Sequence, residues 1–319
     1  MNQQTVSGWL RSFIKTNGSI VIFLILWIFA MIFVPRFAML ENALLIVKQS
    51  AIPIIGCLGM TLVLMTGGID LSLGYTVGLC SITAGILVKT VGMPAVPAII
   101  LTLLVGCAIG LLNGFVVQVI KVPAFIATLG TGYIIYGLAQ IVSQGRDINR
   151  LPAPFLAIGR TEFWGLNTTV GIAFVICLIA YYVIHLSTFG RGLSAFGFSP
   201  QASKLSGIAT ARINFQVYVV CAVLASMVGI LLTIRVNSAQ PNMGGGNYTF
   251  EIITAAVVGG ASLFGGTGTV LGSIFGVLII KVIENCINLA GVSFYIYQAV
   301  QGLVILFAII FENIKNRKL

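Results

Sequence analysis

Few residues in this chain have types and spacings suited to chemistry. There is one histidine, His185, beside Leu186 and Ser187, and any Ser-His-Asp or Cys-His set would have to run through it. It has no neighbouring metal-ligand types, so its expected role is structural. The six cysteines (Cys57, Cys80, Cys107, Cys177, Cys221 and Cys286) lie in apolar runs and form no C-x-x-C pair. They read as small apolar residues, with no disulfide, metal or redox role. No G-x-x-x-x-G-K-[ST] occurs, so the chain has no phosphate cradle of its own for ATP. The expectation is a non-enzyme without a bound cofactor or metal. One acid needs explaining: Asp70, in TGGIDLSLG (66–74), in a chain with only seven Asp and Glu. An acid at a helix start is favoured by the helix dipole and accepts orphan N–H bonds. Two roles stay open, a cap that holds a glycine-hinged break, or a path residue that meets hydroxyls together with Ser72.

The elements that must position these residues follow from composition. Of 319 residues, 58% are hydrophobic and 8% charged, against about 25% charged in ordinary soluble domains. The run IVIFLILWIFAMIFV (20–34) is unbroken, so it does not have the alternation of an outer-membrane strand. In lipid such a run must be a helix, because backbone groups find partners only within the segment. The chain is therefore an all-α polytopic membrane protein. A formal charge of +10 raises nucleic acid as a partner, but topogenic Lys and Arg account for it, and no nucleic acid is expected. Arg11 and Lys15 precede the first run and no small-x-small site follows it, which predicts an uncleaved first span.

A span needs about 20 residues. The apolar runs predict about ten: 19–35, 43–66, 71–92, 95–119, 123–144, 168–187, 213–234, 250–264, 268–288 and 294–312. An even count puts both termini on one side. Arg11, Lys15, Lys315, Arg317 and Lys318 make that side the cytoplasm of a bacterial inner membrane, with Lys121, Arg191, Lys204 and Arg212 also inside. The chain reads as one transmembrane domain, 1–319, with a cytoplasmic loop at 188–213 and a periplasmic loop at 145–167.

The outer loop carries Arg146, Arg150 and Arg160, unusual for that side. It is either a miscounted span or a basic docking surface for an acidic partner. GGIDLSLG (67–74) and GGASLFGG (259–266) share G-G-x-x-L-x-x-G, by chance or as corresponding breaks. Gly-interrupted short segments at such places point to a transport path, which nominates Gly67, Gly68, Asp70, Ser72, Gly259, Gly260 and Ser262. Lys281 and Glu284 share a helical face with Asn285 and Asn288, as a self-neutralised pair or a substrate contact.

In the inner loop, Pro200 predicts the start of a short helix and Gly207 its end. The segment Gln201-Ala202-Ser203-Lys204-Leu205-Ser206-Gly207 is similar to the E-A-A-x-x-x-G pattern by which importer permeases enter a groove of their ATPase, with Gln201 in place of Glu. GGIDLSLG, SKLSGI, NSAQPNMGGGNYTFEIITAAVVGGASLFGGTG and ENCINLAGV follow in order. Over nearly its whole length the chain resembles the permeases of ribose-type monosaccharide ABC importers. The resemblance implies a type II importer permease fold of ten helices. It also implies a second permease subunit, identical or related, a cytoplasmic ABC ATPase holding ATP and Mg, and a periplasmic sugar-binding protein. Gln201, Ala202, Ser203, Lys204, Ser206 and Gly207 would form the ATPase-coupling helix. Relatives carry ribose, galactose, xylose, arabinose and other sugars, so the sugar stays open. A stand-alone facilitator or ion-coupled carrier is the alternative, with Asp70 as its one mid-membrane charge.

Overall fold

The computed structural model describes residues 18–291 and 293–316. Arg11, Lys15, Arg317 and Lys318, on which the orientation leans, lie outside the described residues. Every expected span is a helix: α1 (Gly18–Phe33), α2 (Leu40–Met65), α3 (Leu73–Gly85, continued by a π turn to Thr90), α4 (Ala95–Gln118) and α5 (Ala124–Ser143). After a short α6 (Ala153–Arg160) come α7 (Thr168–Tyr181, continued by a π turn to Leu186), α8 (Thr188–Phe198) and α9 (Pro200–Leu205). The last four are α10 (Thr210–Val236), α11 (Gly245–Val258), α12 (Val270–Leu289) and α13 (Phe294–Asn316). Seven of the described helices are long and apolar enough to cross a membrane. Among the described residues only two-residue strand pairs accompany them, β1 (Ile148–Asn149) with β4 (Ser238–Ala239), and β2 (Glu162–Phe163) with β3 (Leu166–Asn167).

The core lies where α2, α3, α10, α11 and α12 meet. α10, about 40 Å long, is its axis. Against it α4 sets Gly106, Gly110 and Gly114, whose missing side chains admit the α10 backbone. A Cβ on Gly110 would fall 2.6 Å from Val219 Cα. Small residues at this spacing let membrane helices pack by van der Waals contact where lipid supplies no hydrophobic drive.

Two spans are broken. Residues 66–72 are not helical, and α3 starts at Leu73 beside the middle of α10, not at an end of the bundle. The expected eighth span, 250–264, shifts: the helix opens at Gly245 and stops at Val258, and Gly259–Thr269 form a loop. Ahead of it the chain descends along α3. Ala239 meets Gly85, Pro241 O meets Gly78, and Gly245 O meets Gly74. One half of this crossing is therefore non-helical chain and the other half is α11. The turn between them, Gly244 (φ 87) and Gly245 (φ 59), uses left-handed backbone that side chains rarely adopt.

The two ends of the bundle differ. One carries α8 and α9. The other carries α6 and both strand pairs, and there Asn237 ends α10 in the left-handed region (φ 60). Asn237 accepts from the Arg150 N–H through its carbonyl (3.2 Å) and from the Leu151 N–H through Oδ1 (2.9 Å).

Candidate functional site

The break at 66–72 is closed by a buried polar chain. Asp70 Oδ1 accepts from Ser72 N–H (2.9 Å) and from Ser72 Oγ–H (2.6 Å), a turn that sets the first residues of α3. Asp70 therefore acts two residues ahead of the cap position, which Ser72 occupies without a side-chain cap bond. Asn113 Nδ2 on α4 donates to Ser72 Oγ (2.7 Å), and Thr131 Oγ1 on α5 donates to Asn113 Oδ1 (2.7 Å). Thr128 Oγ1 accepts from Leu71 N–H (3.0 Å). All five side chains are buried. Asp70 Oδ2 and the Tyr218 hydroxyl are buried without a hydrogen-bond partner, and the Cys221 thiol lies near the carboxylate. The network joins three spans to irregular backbone deep in the bundle, where unsatisfied groups cost several kcal/mol.

The glycine motifs meet each other. Gly266 N–H donates to Met65 O (2.9 Å), and a Cβ on Gly265 would fall 3.0 Å from Gly67 N. The end of α8 seals this junction: a Cβ on Gly197 would fall 1.9 Å from Met65 O and 2.2 Å from Gly266 N. Phe198 lays its ring on Gly266. Gly67, Gly260, Gly265 and Gly266 all have positive φ. Gly259 packs on Gly272 of α12, and Ser262 N–H donates to Thr267 O (3.1 Å), closing the loop on itself.

α9 forms where Pro200 and Gly207 place it. Ser199 Oγ accepts from Ala202 N–H (3.3 Å), and Gly207 leaves the helix at φ 79. Ser203 is buried toward the bundle. Gln201, Ala202, Lys204, Ser206 and Gly207 are exposed, and Leu205 projects at 91% exposure.

At the other end Arg146 and Arg150 are exposed. Arg160 is tied down: Nε and Nη2 donate to Ile234 O (2.8 Å) and Arg235 O (2.7 Å), closing the C-terminus of α10. Lys48 pairs with Glu162 (2.7 Å), which holds the β2–β3 turn to α2 and leaves Trp164 fully exposed. His185 Nε2 accepts from Val270 N–H (3.4 Å) at the start of α12, a structural role.

Sequence reasoning missed Asn113, Thr128, Thr131 and Glu251. Asn113 is a lone amide in an apolar run, a signal available beforehand. The pairing of Glu251 with Lys281 (2.8 Å), beside the expected Lys281–Glu284 bond (2.7 Å), joins α11 to α12 and depends on the tertiary fold. Among the described residues no three His, Cys, Asp or Glu side chains are grouped to hold a metal.

Residues 42–309 match the family described as branched-chain amino acid transport system, permease component. The chain is 35% identical to the ribose import permease RbsC of Escherichia coli K12, over 99% of this chain and 100% of that protein. It is 37% identical to RbsC of Bacillus subtilis 168, over 92% and 91%. It is 33% identical to the L-arabinose transport permease AraH of Escherichia coli K12, over 94% and 91%. No solved structure matches the chain. Helices fit for a membrane, a buried break closed by polar side chains, and these matches along the whole chain agree: it belongs to the permease family of ABC importers, as a ribose-type member.

Proposed function

We propose that this chain carries a monosaccharide of the ribose, arabinose or galactose kind into the cytoplasm, with ATP and Mg bound and used by a separate ATPase. The carrying observation is the junction at Gly197. α8 runs directly into α9, and its last turn seats on Met65 O and Gly266, where both broken spans end. A push on α9 by an ATPase reaches both breaks through backbone contact, a rigid-body coupling of two sites. In this reading α8 and α9 are cytoplasmic, as are both termini. The exposed Leu205 and the small residues of α9 seat in the ATPase groove.

The opposite end then faces the periplasm. Arg146 and Arg150 steer an acidic face of a sugar-binding protein, and Trp164 offers an aromatic anchor. Arg160 supports this surface by closing α10. Residues 1–319 work as one permease domain, paired with a second permease across the path. Asp70 and Ser72 are buried in this state, so they hold the break between α2 and α3 while Gly67, Gly68, Gly259, Gly260 and Ser262 let it move. The test is reconstitution with an ATPase and a binding protein in proteoliposomes. Uptake of D-ribose, L-arabinose or D-galactose should require all three components and ATP hydrolysis. Sugar entry through the chain alone, without ATP, would overturn the reading.

A further inference from the structure

The exposed part of α5 divides by chemistry into two flanks. One carries Ile134, Leu138, Ile141 and Val142, all exposed and apolar, as a lipid-facing surface should be. The other begins at the exposed Ile126 and then carries Gly130, Tyr133, Gly137 and Gln140 at helical spacing, with Tyr136 at its edge. This second flank runs from the middle of a membrane helix toward its end, and within the membrane exposed polar groups face a bundle interior or a water-filled path rather than lipid. Three tyrosines gather there. Tyr75, in the first turn of α3, has its ring 5.8 Å from Tyr133 and 5.9 Å from Tyr136, the latter edge-on. Tyr133 remains 61% exposed. Around them are amides and backbone: Gln140 Nε2 donates to Asn242 Oδ1 (2.8 Å). A Cβ on Gly246, in the first turn of α11, would sit 3.3 Å from the Tyr75 hydroxyl. None of these side chains is charged.

Phenol rings, phenol hydroxyls and carboxamides without a charge suit a neutral polyol, whose C–H faces stack on rings while its hydroxyls trade hydrogen bonds. Both broken spans open here, α3 at Tyr75 and α11 at Gly246, so the surface sits where the moving elements begin. We propose that Tyr75, Tyr133, Tyr136, Gln140 and Asn242 form a sugar-contacting wall of the translocation path. This rests on the sugar-import reading above. It assigns sugar contact to the tyrosine flank and leaves Asp70 and Ser72 as the support behind it.

The experiment uses the full transporter in proteoliposomes, with radiolabelled D-ribose, L-arabinose and D-galactose as probes. Tyr133→Ala and Tyr136→Ala should each slow uptake of the transported sugar about tenfold. Tyr75→Phe, which keeps the ring packing, should slow it less. ATP hydrolysis stimulated by the binding protein should persist, which shows that the variants fold and assemble. Leu138→Ala, on the apolar flank, should transport normally. Wild-type rates in both alanine variants, or an equal loss in Leu138→Ala, overturn the proposal alone. Failure of the wild type to move any of the three sugars removes the import reading and this proposal with it.

Discussion

Lys281 sits midway along α12 with its ammonium bound by two carboxylates, Glu251 Oε1 at 2.8 Å and Glu284 Oε2 at 2.7 Å. The side chains are 12%, 18% and 23% exposed, so water screens them little. Lys281→Met keeps the length of the stem and removes the charge. Both carboxylates touched one nitrogen, so they are left within about 5.5 Å of each other, with a repulsion of about 3 kcal/mol at an effective dielectric near 20. Glu284 also loses a charge-assisted hydrogen bond and Glu251 its ion pair, and breaking a buried pair from one side costs about 3–5 kcal/mol. At roughly 2 °C per kcal/mol for a chain of this size, detergent-solubilised protein should melt about 6–10 °C lower. Glu251→Gln leaves Lys281 paired with Glu284 and should cost about 1–2 kcal/mol. The triple variant Glu251→Gln, Lys281→Met, Glu284→Gln leaves no buried charge and should recover most of the loss. A Lys281→Met protein that melts within about 1 °C of wild type would refute the reasoning, because the three charges would then be solvated and not held by each other.

Three further outcomes follow from the same geometry. Asp70→Asn keeps an acceptor for the two Ser72 bonds, so assembly should persist and uptake should stay within about threefold, whereas Asp70→Ala should lower the melting midpoint through about 2–4 kcal/mol of lost bonds; lost uptake in a folded Asn variant would show that the charge itself serves transport. Gly197→Val places a branched side chain into Met65 O and Gly266, so coupled uptake should collapse while binding-protein affinity is kept, and normal ATP-driven uptake would remove this junction from the coupling route. Arg146→Glu with Arg150→Glu should slow association of the binding protein most at low salt; unchanged association at low ionic strength would count against that surface.

Much of the fold was legible because lipid narrows the choices. A run such as 20–34 has one way to satisfy its backbone, and that way is a helix. Ten apolar runs therefore hold ten helices, nine of them with ends close to those expected. Pro200 and Gly207 marked α9 for equally local reasons. The misplaced element was the eighth span. Hydropathy continues smoothly through 259–264, while the helix is bounded by glycines whose backbone angles depend on what they pack against. Asp70 was recognisable as an oddity but not as a side chain joined to α4 and α5.

Helical spacing alone sorted the residues of each span onto faces, and composition alone chose the solvent, because both are properties of neighbours in the chain. Which faces meet is decided by packing between distant segments. Only the tertiary structure brought Asn113 and Thr131 to Ser72, Glu251 to Lys281, Gly197 to Met65 and Gly266, and Tyr75 to Tyr133 and Tyr136. Those contacts span residues far apart in sequence. They depend on how closely glycine-lined backbones approach, which no single segment determines.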